Sequence, residues 1–215
     1  DGKSYMTLHI AWSLSRRGKN VIIIDSDMRK SVMVSRYRMS VEDGGEMTGL
    51  AHYLAGLQPL ENVVYETNLT NLYFMPIGTE VNNPIPLLTS PKLKQMLDSL
   101  AQSFDIVLID AAPVGLVIDA AEIARHSDGL IFVVTYDHTG YHELKDAKTQ
   151  IEATGCPILG CIINQVDMKG MAAKRYYKKS YSGKYGKYGY GYGYGYYGHD
   201  HSEKSKKSKS HKNKG

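Results

Sequence analysis

Short aliphatic runs alternate with stretches of helical periodicity along residues 1–168. The runs at 21–25 (VIIID), 72–75 (LYFM), 106–110 (IVLID), 130–135 (LIFVVT) and 158–164 (ILGCIIN) have the length and β-branched content of strands. The first is apolar until its acidic end, which suits a strand buried on both faces. The intervening spacing predicts helices over 5–17, 49–57, 91–103, 119–125 and 142–154. Gly18 is placed to end the first helix. Ser90 is placed to cap the third and Pro91 to open it. Residues 78–89 (GTEVNNPIPLLT) read as a loop. Strands alternating with helices predict an α/β fold, a mostly parallel sheet with helices on both faces.

The pattern stops near Lys169, after which one further helical turn is expected at 171–177. Two parts follow: a folded domain at 1–168 and a tail at 169–215. Ten of the 17 tyrosines fall in the tail, at Tyr176, Tyr177, Tyr181, Tyr185, Tyr188, Tyr190, Tyr192, Tyr194, Tyr196 and Tyr197. Alternating Gly and Tyr offers no helical face, and a strand with Gly at every second position has little to pack. The tail is therefore expected to be disordered.

Charge divides along the same line. Residues 1–168 hold 13 of the Lys+Arg and 20 of the Asp+Glu, a balance of −7, whereas 169–215 hold 13 and 2, a balance of +11. A basic tail on an acidic body can meet nucleic acid, anionic lipid or the body of a neighbouring copy. No run of 18 apolar residues and no signal peptide is visible. Cys156 and Cys161 lie in an apolar stretch without metal-ligand spacing and are expected to be reduced core residues of a cytosolic protein. Trp12 is also expected in the core.

Three segments carry chemistry. The chain opens DGKS and runs into a helix. Gly2-Lys3-Ser4 has the form of the second half of a phosphate-binding loop, where backbone N–H groups and the helix dipole hold phosphate oxygens. Lys3 would reach the β- and γ-phosphates of ATP, and the Ser4 hydroxyl would ligate Mg²⁺. VIIIDSDMRK places Asp25 and Asp27 just beyond a buried strand, where ligands bind in parallel sheets. Two carboxylates there can divide roles between a metal and a proton. FDIVLIDAAP has the form of a Walker B strand, whose Asp110 would hold Mg²⁺.

GKS, IIIDSDMR, VLIDAAP and the terminal tyrosine cluster together resemble the bacterial tyrosine kinases of capsule and exopolysaccharide synthesis, over essentially residues 1–197. The segments GLAHYLAG, NLYFMPIG and SDGLIFVV add to the likeness. The resemblance implies a deviant-Walker P-loop fold, like that of cell-division ATPases, that autophosphorylates its tail tyrosines. Asp25 matches the acid that activates the incoming tyrosine hydroxyl, Asp27 and Asp110 match Mg²⁺ ligands, and Arg29 matches the basic residue after the paired acids. Asn164 lies where related ATPases read adenine. Implied partners are further copies of the chain in a ring, phosphorylating in trans, a membrane-embedded activator or chain-length regulator, sugar-nucleotide or polysaccharide-export enzymes, and a tyrosine phosphatase. The implied location is cytoplasmic, at the inner face of the membrane through a partner.

The sequence departs from the family in two respects. Met28, Lys30 and Ser31 stand where the family commonly continues Arg-Arg-Pro, which bears on loop rigidity. The first glycine of the phosphate loop and the strand before it are not in the chain. It therefore reads as a fragment lacking a central strand, expected to be unstable and inactive alone. Two rival readings remain: a partitioning ATPase of the same fold, to which Asp1 and the tyrosine tail are foreign, and a nucleic-acid-binding module using the Lys- and Tyr-rich arm.

Overall fold

The computed structural model describes residues 2–41, 44–114 and 118–166. Asp1, the turn expected at 171–177 and the tyrosine cluster lie outside the described residues. Within the unit Asp1–Val166, strand β1 (Val21–Asp25) is central. It pairs in parallel with β3 (Leu72–Met75) on one side and β4 (Ile106–Asp110) on the other, with Asp25 opposite Asp110. The short β2 (Tyr65–Glu66) adds antiparallel to the far edge of β3. Strands β5 (Leu130–Thr135) and β6 (Ile158–Asn164) form a separate parallel pair. Among the described residues no ladder joins β4 to β5. The sheet is thus mostly parallel, in two pieces.

All five β1 residues are buried because both sheet faces are covered. Ile22 and Ile24 pack with Met75, Leu93, Met96 and Leu97 beneath α3 (Leu50–Leu54) and α5 (Pro91–Ser103). Val21 and Ile23 face the other way, against Leu72, Phe74 and Ala11 of α1 (Lys3–Ser15). Burying each β1 isoleucine contributes about 1.5–3 kcal/mol. The same alternation carries Asp25 and Asp110 onto the α1 side of the sheet, past the end of the apolar ladder.

Several elements depart from the sequence expectation. Helix α1 starts at Lys3 rather than residue 5, because Gly2 turns the chain with φ +85°. The 78–89 segment contains a helical turn, α4 (Ile85–Leu88), since Pro86 fits a first turn. The turns α2 (Met33–Tyr37) and a 3₁₀ helix at Leu60–Asn62 are too short to leave a periodicity. Ser90 precedes α5 in extended backbone without a side-chain cap; its hydroxyl donates back to the Leu87 carbonyl at 2.7 Å. Helices α6 (Asp119–Ala124) and α7 (Tyr141–Glu152) end close to expectation.

Trp12 is 40% exposed, not core. It sits on the outer side of α1 in a stripe with Tyr5, His9 and Arg16, because Leu8, Ala11 and Leu14 take the sheet side. Cys156 is buried as expected, but Cys161 is exposed on β6. No described helix is long and apolar enough to cross a membrane.

Candidate functional site

The C-terminal ends of β1 and β4 and the N-terminus of α1 meet at one rim of the sheet. Gly2 makes the turn into α1. A side chain there would be strained at φ +85° and would strike the Asn164 amide at the end of β6. Asn164 therefore lies beside the start of the phosphate loop, and its backbone carbonyl accepts from the Tyr136 N–H at 2.9 Å. Lys3 and Ser4 open the first turn of α1, where the backbone N–H groups and the positive dipole end favour an anion.

Asp110 is 4% exposed. Burial raises its pKa above the usual carboxylate range, while hydrogen bonds from Ser4 and Thr7 and the charge of Lys3 pull the other way. These interactions bring GKS and the Walker B strand together. Ser26 locks β1 to β4 from above: its backbone N–H and its hydroxyl both donate to the Asp110 carbonyl, at 2.9 and 2.8 Å.

The two acids after β1 sit in different surroundings. Asp25 is 1% exposed, and burial pushes its pKa up to about 7, with the charges of Asp110 and Asp27 adding and hydrogen bonds opposing. Its Oδ1 accepts from the Asp27 N–H at 3.3 Å and its Oδ2 from the Ser31 hydroxyl at 2.5 Å. Asp27 is half-buried, and its Oδ1 accepts from the Lys30 N–H at 3.1 Å. A buried carboxyl near neutrality beside a more exposed one suits a proton acceptor paired with a metal ligand.

Arg29 points elsewhere. Its Nε and Nη2 donate to the two oxygens of buried Asp119 at 2.7 and 3.1 Å, and its Nη1 to the Asn82 carbonyl at 3.3 Å. The guanidinium thus ties the loop after β1 to α6 and to the 78–89 segment. The Val81 N–H, donating to the Met28 carbonyl at 3.0 Å, closes the same seam.

Asp119, Ser31 and Thr7 were missed in the sequence. Asp119 appears there only as a helix start and Ser31 only as a departure that bears on loop rigidity, and Thr7 is not singled out. The one signal was Ser31 at a position where proline is common. Tyr37 was missed as well: burial and the Asp110 charge raise its pKa, and its hydroxyl finds no hydrogen-bond partner among the described residues.

The donors fit a hard divalent cation. Ser4, Asp27 and Asp110 offer oxygen only, and Asp110, buried and held above its ordinary pKa, is short of positive charge. Among the described residues, no three His, Cys, Asp or Glu side chains are placed to hold a metal unaided. Mg²⁺ keeps several waters and takes one or two carboxylates together with substrate phosphates, a demand this oxygen donor set fits.

A lysine and serine at a helix start, set against acids at the ends of two parallel strands, define a P-loop nucleotide-binding domain, and residues 1–154 match the AAA domain family. The tyrosine-protein kinase CpsD of Streptococcus pneumoniae is 34% identical over 87% of this chain and 79% of its own length. The chain belongs to the bacterial tyrosine-protein kinases. The BceF tyrosine kinase domain superposes with a TM-score of 0.69 at 35% identity, covering 77% of this chain and 64% of that one. The septum site-determining protein MinD of Pyrococcus horikoshii, complexed with Mg-ADP, matches more weakly. Its TM-score is 0.62 at 25% identity, over 75% of this chain and 64% of that one.

Proposed function

We propose that the intact protein transfers the γ-phosphoryl group of ATP to tyrosines of its own C-terminal tail and thereby regulates polysaccharide synthesis and export. The observation that carries this is the meeting of Lys3, Ser4, Asp25 and Asp110 at one rim, with Asp25 held near pKa 7. Lys3 and the α1 N-terminus bind the phosphates. Asn164, beside Gly2, closes the other wall of the nucleotide site. Mg²⁺, held by Ser4, Asp27 and Asp110, would offset phosphate charge and orient the γ-phosphoryl group.

The tyrosine oxygen forms a bond to the γ-phosphorus as the bond to the β,γ-bridging oxygen breaks, its electron pair leaving on ADP. Asp25 takes the phenolic proton. A free phenol has a pKa near ~10 and needs such a base at neutral pH. Arg29 shapes the loop that carries Asp25 and Asp27 rather than touching the phosphates.

The substrate is tethered. Tethering on the same chain raises the effective concentration of its tyrosines to roughly millimolar. Weak recognition then suffices, as a repetitive Tyr-Gly run requires. Transfer runs in trans within a ring of copies, at the inner membrane face, under a membrane-embedded activator and opposed by a tyrosine phosphatase. Sugar-nucleotide and export enzymes are the further targets. Each phosphate adds about −1.5 to −2 of charge, so six or seven cancel the tail's +11 and loosen its hold on acidic neighbours.

In the full-length protein, Asp25→Asn abolishes tail phosphotyrosine while ATP binding persists. Unchanged phosphorylation in that variant rules out Asp25 as the base. The MinD likeness supports a second reading, a partitioning ATPase. ATP hydrolysis without any phosphotyrosine in the wild-type protein would favour it.

A further inference from the structure

We propose that Ser31 is a positioning residue for phosphoryl transfer, holding the Asp25 carboxylate in the orientation that accepts the tyrosine proton. The proposal rests on the kinase reading above. Asp25 receives two donors, one on each oxygen, and only the Ser31 hydroxyl is close, at 2.5 Å against 3.3 Å for the Asp27 N–H. Its distance lies at the short end of O–H···O⁻ geometry, the stronger class of hydrogen bond. With a donor on each oxygen, and the closer one from Ser31, rotation of the carboxyl plane about Cβ–Cγ is opposed. The lone pairs left free therefore keep a fixed direction at the rim. Burial to 1% exposure leaves no bulk water to replace a missing donor.

The hydroxyl arrives six residues after Asp25 on a loop fastened at three points. Ser26 binds the Asp110 carbonyl, Lys30 binds Asp27, and Arg29 binds Asp119. Ser31 therefore reaches back from a fixed position. A proline there, as the resembled family commonly has, stiffens the loop through its ring but has no hydroxyl or N–H to donate. Ser31 instead offers a hydrogen bond to the acid itself. The catalytic contribution is geometric: a near-attack arrangement of base, phenol and phosphorus is sensitive to displacements of about 1 Å.

The test uses the full-length protein with Mg²⁺ and ATP, measuring tail phosphotyrosine formation for wild type, Ser31→Ala and Ser31→Thr. Affinity for a fluorescent ADP analogue is measured alongside. Loss of a hydrogen bond that orients a metal ligand costs roughly 10- to 100-fold, and the same range is taken for a buried general base. Ser31→Ala is expected to lose that much in kcat, with KM for ATP and analogue affinity within about two-fold of wild type. Ser31→Thr, which keeps the hydroxyl, is expected to recover most of it. Full kcat in Ser31→Ala overturns the proposal. So does a parallel loss of kcat, nucleotide affinity and melting temperature, or failure of threonine to rescue. A wild-type protein that consumes ATP without forming phosphotyrosine overturns the kinase reading itself, and is recognised before any variant is compared.

Discussion

Asp25, the proposed proton acceptor, should weaken the fold when no ligand is bound. Asp25 has its pKa raised from 3.8 to about 7, mainly by burial. The folded state therefore binds the proton more tightly than the unfolded chain does. The contribution of Asp25 to stability is greatest below pH 3.8 and declines as pH rises toward 7, at about 1.36 kcal/mol per pH unit. Across that window of about three pH units the loss approaches about 4 kcal/mol, shared with Asp110, whose charge is coupled to it. Asp25→Asn keeps the size and the oxygen acceptor for Ser31 but removes the charge. Urea denaturation of both proteins without nucleotide, in a metal-chelating buffer, measures the difference at pH 5 and pH 8. The variant's advantage should grow by about 2.7 kcal/mol between them, two pH units at 1.36 kcal/mol each. A difference that does not change with pH, or one that shrinks toward pH 8, refutes the claim that Asp25 is ionised at a desolvated site.

Three further outcomes follow from the packing. Ile22→Ala opens a cavity in the fully buried central strand and should cost about 2–5 kcal/mol in urea titration with little change in the denaturant slope. Arg29→Met leaves the buried Asp119 carboxylate without its bidentate partner. It should lower the melting temperature more than the double variant Arg29→Met/Asp119→Leu, a coupling that thermal unfolding of the four-member cycle reads directly. Gly2→Ala meets both the φ +85° turn and the Asn164 amide. It should weaken nucleotide binding by at least ten-fold in a fluorescence titration while leaving the β1–β3–β4 core intact.

The parts of the fold set by local pattern could be read from the chain. Val21–Asp25 and Ile106–Asp110 announced themselves as apolar runs with acidic ends, and both are strands at the stated residues. Their parallel register then puts Asp25 beside Asp110. Elements of one turn, such as Met33–Tyr37, were not legible, because five residues cannot display a helical period. Trp12 misled because a large apolar side chain predicts burial only when the helix has one apolar side, and α1 has aromatic residues on its outer side too. In the site, residue types at strand ends located the acids, but not their surroundings. The Arg29–Asp119 pair spans 90 positions, and no spacing rule reaches that far. Ser31 lies only six residues from Asp25, yet its contact depends on how the loop folds back.

The central claim is that Lys3 and the acids of β1 and β4 form one phosphoryl-transfer site serving the tail. Mapping phosphotyrosine by mass spectrometry, in the full-length protein incubated with Mg²⁺ and ATP, tests it most directly when wild type is set beside Lys3→Met. Phosphate on residues between Tyr176 and Tyr197 in wild type, and none in Lys3→Met, is the predicted result. Equal phosphate in both proteins, or ATP consumed with every tail tyrosine unmodified, would contradict it.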